Sequence, residues 1–122
     1  MTSIKFSLII PCYDEEGNIP ILIKHCKRIF KDGKFEVIFV ENGSNDNSYY
    51  ILKREINKVH NFKLVRVKKN IGLGHGVVEG LKRAKGDIIG WTHGDLQTDP
   101  LDAYKAFKIS ANYEGDFLIK GT

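Results

Sequence analysis

The chain has 122 residues, 28% of them charged, 42% hydrophobic and 11% aromatic. That composition excludes a disordered tail, a collagen-like repeat and a disulfide scaffold, and the length describes one domain over 1–122. Nineteen Lys and Arg against fifteen Asp and Glu leave a formal net charge of +4. The cations are mostly Lys and spread along the chain, as at Lys24, Lys27, Arg28, Lys31, Lys34, Lys63, Arg66, Lys68 and Lys69, without an aromatic-interleaved block, which disfavours a nucleic-acid-binding module.

Residues 6–10 form a short apolar run of β type that ends at Pro11. It is too short for a membrane span, which takes about 20 apolar residues, and unlike a signal peptide, so a cytoplasmic location is the default expectation. Ile19, Leu22, Ile23, Cys26, Ile29 and Phe30 then recur at helical spacing, with Asn18 as the expected N-cap and Pro20 in the first turn. Residues 35–40 (FEVIFV) read as a second strand, and GSNDNS supplies turn and cap chemistry before a helix striped by Tyr49, Leu52, Ile56 and Val59.

Residues 62–67 are a third strand and 70–76 (NIGLGHG) a glycine-rich loop. Val77, Val78, Leu81 and Ala84 mark a third helix, with Gly86 as its expected C-terminal cap. Residues 87–92 (DIIGWT) make a fourth strand, HGDLQTD a polar loop, and Pro100 opens a fourth helix with Leu101, Tyr104, Phe107 and Ala111 on one face. A fifth strand is expected at 116–120. This alternation predicts an α/β fold, mostly a parallel sheet with helices on both faces, in which FEVIFV and DIIGW suit central strands. Ligands of such sheets sit beyond the carboxyl ends of the strands, so the loops after strands one to four are the ones to read for function. The two cysteines, Cys12 and Cys26, match neither a disulfide framework nor a zinc spacing.

In the fourth loop, a carboxylate at a strand end beside other oxygen donors suits a hard divalent cation, Mg²⁺ or Mn²⁺. Asp99 precedes Pro100 and reads first as a helix N-cap, whereas the metal reading leads at Asp95. His93 is open between a hydroxyl donor, a metal ligand and a strand terminator. The glycine loop brings backbone N–H groups near a phosphate or simply turns tightly. It breaks the dinucleotide fingerprint, because Val77 stands where the third glycine belongs, and no Walker sequence occurs. Glu41 and Asn42 could read a base edge or ribose hydroxyls, although Asn42-Gly43 is equally a turn signal. Tyr13 could stack on a base. Asp14, Glu15 and Glu16 are expected near the positive end of the helix that follows them, a favourable placement with no ligand at all.

Taken as a set, the loops resemble family 2 glycosyltransferases. SLIIPCYDEEGNI resembles that family's opening Pro-x-Tyr-Asn-Glu-Glu, VENGSNDNS its Asp-Asp-Gly-Ser segment, and NIGLGHGVVEGLKRAKGDIIGW its glycine-rich stretch ending in Gly-Asp. HGDLQTDP resembles the Asp-x-Asp-Leu-Gln-x-x-Pro of the branch containing dolichyl-phosphate mannosyltransferases. The matches stand in family order over residues 7–100. The resemblance implies the Rossmann-like, nucleotide-sugar-binding half of a GT-A fold and hexosyl transfer with inversion from a nucleotide-diphosphate sugar. It implies that Pro11, Tyr13 and Glu15 line the nucleotide, with Glu41 or Asn42 near the base and Gln97 near the donor. Asp95 takes the metal-binding second Asp of Asp-x-Asp, holding Mg²⁺ or Mn²⁺ on the diphosphate. Gly72 lies in the stretch that faces the donor, and His93 replaces the first Asp, which in relatives often contacts the ribose. Glu41-Asn42 replaces Asp-Asp.

The resemblance also places the catalytic base and acceptor pocket outside this chain, which is therefore expected to stop before the family's acceptor half. A lipid phosphate at the inner membrane surface is one candidate acceptor, and exposed sheet edges leave a homo-oligomer open. The rival reading is a nucleotide-sugar-binding or regulatory module without transfer activity. An oxidoreductase is disfavoured by the broken fingerprint.

Overall fold

A computed structural model describes residues 3–96 and 99–110. The elements run β1 (Phe6–Cys12), α1 (Ile19–Ile29), β2 (Phe35–Asn42), α2 (Ser48–Ile56), β3 (Phe62–Val67), α3 (Leu73–Leu81), β4 (Ile88–Trp91) and α4 (Pro100–Ser110). The strands form a four-stranded sheet in the order β3-β2-β1-β4, every pairing parallel. The register sets Phe6 beside Phe35 and Ile88, and Val37 beside Phe62. This is the expected α/β architecture with helices on both faces, because apolar strands buried on each side demand cover above and below.

The two faces are filled differently. On one, Phe6, Leu8 and Ile10 of β1 and Val37 and Phe39 of β2 meet Leu22, Ile23, Cys26 and Phe30 from α1 and its end. Aromatic rings dominate there: Phe30 and Phe35 lie 5.5 Å apart, Phe35 and Phe107 5.4 Å, and Phe6 and Phe107 5.1 Å. On the other face, Ile9, Ile38, Val40, Val65 and Val67 make a thin aliphatic layer beneath α3. That helix approaches through glycine: a Cβ on Gly80 would stand 2.5 Å from Ile9 Cγ2 and 3.1 Å from Val40 Cγ2.

Glu36 is buried at the amino end of this second layer, between Phe35 and Val37. Its carboxylate accepts from Lys63 Nζ at 2.7 Å, Ser7 Oγ at 2.6 Å and the Lys85 backbone N–H at 2.7 Å. Burial pushes this carboxyl upward, but the donors from Lys63, Ser7 and Lys85 outweigh it and hold its pKa below the ordinary value.

Four expectations need correction. The third helix begins at Leu73, inside the stretch read as a loop, and ends at Leu81, with Lys82 and not Gly86 at its C-terminal cap. Its buried positions are Gly76 and Gly80, while Val78 and Leu81 are exposed. Gly86 instead lies against β1, where a Cβ would stand 2.6 Å from the Ser7 nitrogen. The fourth strand is not central among the described residues: β4 pairs with β1 alone and leaves Ile89 and Trp91 exposed. Asn18 flanks α1 without capping it, and its amide donates to Glu15 Oε2 at 2.6 Å. Asp99 does cap α4, accepting from the Leu101 N–H at 2.9 Å. The expected fifth strand lies outside the described residues.

Candidate functional site

The four loops that follow the strands lie side by side in strand order, and direct contacts join them. The loop after β1 is stitched to the loop after β2 from both directions. The Asp14, Glu15 and Glu16 N–H groups donate to Ser44 Oγ, Ser48 Oγ and Asp46 Oδ2 at 3.0, 2.9 and 3.2 Å. In return, Asp14 Oδ1 accepts from the Asn45 N–H at 2.7 Å and Glu16 Oε2 from the Asn47 N–H at 3.2 Å. The Asp14 and Glu16 carboxylates therefore reach the amino end of α2, while Glu15 stands at the amino end of α1 as expected, its Oε2 accepting from Asn18 and its carbonyl from the Ile19 N–H at 3.0 Å. Asp46 also accepts from the Ser48 N–H and hydroxyl, and although burial opposes it, these bonds lower its pKa.

The loop after β2 meets the loop after β3 at Gly43. Its φ is 73°, and a Cβ there would stand 2.3 Å from the Asn70 nitrogen, so only glycine fits. Asn42 Nδ2 donates to the Gly72 carbonyl at 3.2 Å, joining the same two loops one step further in. The loop after β4 leans on β1 at Gly94, where a Cβ would stand 2.8 Å from Cys12 Sγ and 3.0 Å from the Pro11 carbonyl oxygen. Each loop also carries one residue at positive φ: Asp14 at 50°, Gly43 at 73°, Gly72 at 114° and Leu96 at 65°. Glycine adopts such backbone freely, but at Asp14 and Leu96 it persists only where the surroundings over-determine it, a feature that collects at binding and catalytic sites.

The predicted site residues divide by exposure. Tyr13, Gly72 and His93 are exposed, and Glu15 and Asp95 are half-buried. The Tyr13 hydroxyl accepts from Asn45 Nδ2 at 3.3 Å, and the His93 ring lies 5.2 Å from that of Trp91. Pro11, Glu41 and Asn42 are buried and hold the floor. Glu41 Oε1 accepts from the Ser44 N–H at 2.7 Å, closing the turn after β2. Two buried side-chain oxygens lack a hydrogen-bond partner among the described residues, Asn42 Oδ1 and Thr92 Oγ1, and both stand at the carboxyl ends of strands. Gln97 lies outside the described residues. Burial pushes the Cys26 thiol up to about 12 and the Cys12 thiol higher still, so neither is a nucleophile at neutral pH.

Sequence reasoning missed the reciprocal partners in the second loop, Ser44, Asn45, Asp46, Asn47 and Ser48, as well as Thr92. For the second-loop residues the signal was present as cap-forming residue types, but their partners in the first loop lie about thirty positions away in sequence, as the Asp14–Ser44 separation shows.

The segment from residue 7 to 118 matches the signature of glycosyl transferase family 2. The chain belongs to that family. Among curated relatives, it is 34% identical to the undecaprenyl-phosphate 4-deoxy-4-formamido-L-arabinose transferase of Proteus mirabilis, over 97% of this chain and 36% of that protein. The chain thus spans about a third of the length of the curated relatives it matches. The crystal structure of S. aureus TarS 1-349 in complex with UDP superposes with a TM-score of 0.68 at 28% identity, over 89% of this chain and 33% of that one. The mannosyltransferase PcManGT of Pyrobaculum calidifontis, in complex with GDP-Man and Mn²⁺, shares the fold at a TM-score of 0.65 and 21% identity, over 88% of this chain and 32% of that one.

No group of three or more His, Cys, Asp or Glu side chains able to hold a metal is gathered among the described residues. Glu41 closes its turn and Asp99 caps its helix, and Asp95 is a carboxylate standing just beyond the end of β4. A donor set of one carboxylate fits Mg²⁺ or Mn²⁺ bound mainly through substrate phosphates and water, not an all-protein cage.

Proposed function

We propose that this domain binds a nucleotide-diphosphate sugar with Mg²⁺ or Mn²⁺, for inverting hexosyl transfer to an acceptor such as a polyprenyl phosphate. The observation that carries the reading is the locking together of the four family motifs at one end of the sheet. The first three loops touch one another, and Asp95 stands on the fourth, which rests through Gly94 on the end of β1. The UDP held by TarS and the lipid phosphate named for the Proteus mirabilis relative support the ligand classes.

In this reading, Tyr13 offers an exposed ring to the base, with Pro11 and Glu15 along the nucleotide. Asn42 holds the second loop against the third and Glu41 closes the turn after β2, which sets both beside the base. Gly72 directs the amino end of α3 toward the phosphates. His93 donates to a ribose hydroxyl, Gln97 lies by the donor sugar, and Asp95 orients the cation. When bound, that ion offsets the charge that develops on the diphosphate leaving group. An acceptor that is a membrane lipid calls for a cytoplasmic, peripheral location, and no described helix is long and apolar enough to cross a membrane.

The test is calorimetric titration of the wild type and Asp95→Ala with UDP- and GDP-sugars, with and without Mn²⁺. Mn²⁺-dependent binding is expected, weakened in the variant by at least the roughly 10–100-fold typical of groups one shell further from a metal. Absence of Mn²⁺-dependent binding to every donor overturns the proposal. Binding without transfer or donor hydrolysis turns it into the binding-module reading.

A further inference from the structure

The net charge, dispersed in sequence, is gathered in space. A groove of about 620 Å³ between α1 and α2 is lined by Lys27, Lys53, Arg54 and Lys58, with Tyr50 and one carboxylate, Glu55. A second groove of about 410 Å³ adjoins it, sharing Lys27 and Lys58 and adding Lys31 and His60 over Phe30 and Phe62. Five lysines and arginines against Glu55 account for the whole formal net charge of +4, so the remainder of the chain is balanced. Lys24 and Arg28 extend the patch along α1, one helical turn apart.

Few of these cations are engaged within the described fold, Lys53 lying over the Tyr49 ring at 5.9 Å. Lys27, Lys31 and Lys58 make no ion pair among the described residues, and Arg54 pairs only with the adjacent Glu55, at 3.2 Å. Their positions in and beyond the last turns of α1 and α2 favour the helix dipoles, but that needs one or two cations and not a field of them.

We propose that this flank is a docking surface for an anionic phospholipid bilayer. The chemistry favours a fluid anionic surface over a defined anion. Lysine ammoniums are flexible point charges, and the lone arginine lining the grooves has its fork turned to Glu55 instead of being free for bidentate recognition. Apolar side chains accompany the charges, as at membrane interfaces: Tyr50 is 64% exposed within the groove, and Ile21, one turn before Lys24, is 47% exposed. Orientation is compatible with a lipid-borne acceptor. Tyr50 lies two residues after Ser48, which holds Glu15, so the groove starts beside the site loops and runs away from them along α2. Docking on this flank leaves the loops opening along the membrane surface. The biological sense of the surface rests on the lipid-acceptor reading; its physical test does not.

That test is co-sedimentation with vesicles of 70:30 phosphatidylcholine and phosphatidylglycerol, with no nucleotide or metal present, so its failure is distinct from failure of donor binding. The wild type is expected to partition onto these vesicles, not onto pure phosphatidylcholine, and to be released by salt. Each lysine removed from the surface is expected to weaken partitioning about fivefold, so Lys27→Gln with Lys58→Gln loses about 25-fold. Lys82→Gln with Arg83→Gln, the same charge change beside α3, leaves partitioning unchanged. Equal losses from both pairs, or no partitioning by the wild type, overturn the proposal. Binding of inorganic polyphosphate with no vesicle binding overturns it in favour of a soluble polyanion. The salt dependence of the wild type needs no variant to fold.

Discussion

The two faces of the sheet solve the same burial problem by opposite means. The α1 side is thick, with large rings meeting at 5.1–5.5 Å around Phe30, Phe35 and Phe107. The α3 side is thin, and its helix comes close because Gly76 and Gly80 present no side chain. The first face gains stability from area removed from water, the second from closeness of approach. The closeness has a functional consequence, since it brings the amino end of α3 down onto Asn42 and the loop end of β2.

The comparison breaks most visibly at Phe30. Truncation to Ala should cost about 3–5 kcal/mol, the range for a fully buried aromatic side chain, measured by denaturant unfolding. A cost below about 1 kcal/mol would mean that this face repacks freely. On the thin face the sensitive change is an addition. Gly80→Ala should cost about 1–3 kcal/mol, because Ile9 and Val40 are branched and held in strands. A neutral result would show that α3 can lift away, and donor affinity would then be expected to fall with it.

A smaller effect, about 1 kcal/mol, is expected for Glu36→Gln, which keeps the shape but loses the charge-assisted bonds. Its pH dependence has a definite sign. The folded carboxyl has a lowered pKa, so its stabilisation is complete above the unfolded value of about 4.3 and is lost as pH falls through the folded value. The gap between wild type and variant should therefore close in acid. A gap that widens on acidification would contradict the bonding seen at Glu36.

Much of this was legible from residues alone. Seven of the eight described elements stand close to where apolar spacing put them, because β1, β2 and α1 are built from long side chains whose period is visible. The start of α3 was not, since glycines are poor helix formers and a helix that packs through them hides its buried face from any pattern of apolar residues. DIIGW reads as central from its apolarity, and among the described residues it pairs on one side only, with β1. The charge patch was illegible for another reason: Lys27 and Lys58 meet only after two strand-helix units have folded side by side.

For the site, residue types identified the right loops but not the division of labour within them. Glu41 and Asn42 read as ligand readers, and both are buried, Glu41 bonded within its own turn and Asn42 to the loop after β3. A carboxylate in a turn and one facing a ligand are written with the same letter. Only the Ser44 N–H at 2.7 Å tells them apart.

The reciprocal bonds between residues 14–16 and 44–48 make the first two loops a single inheritable cassette. Transplanting the first loop from a relative would bring in side chains cut to fit a different second loop, and the mismatch would surface as misplaced backbone rather than a lost contact. Redesign of nucleotide preference in this domain should therefore exchange both segments together.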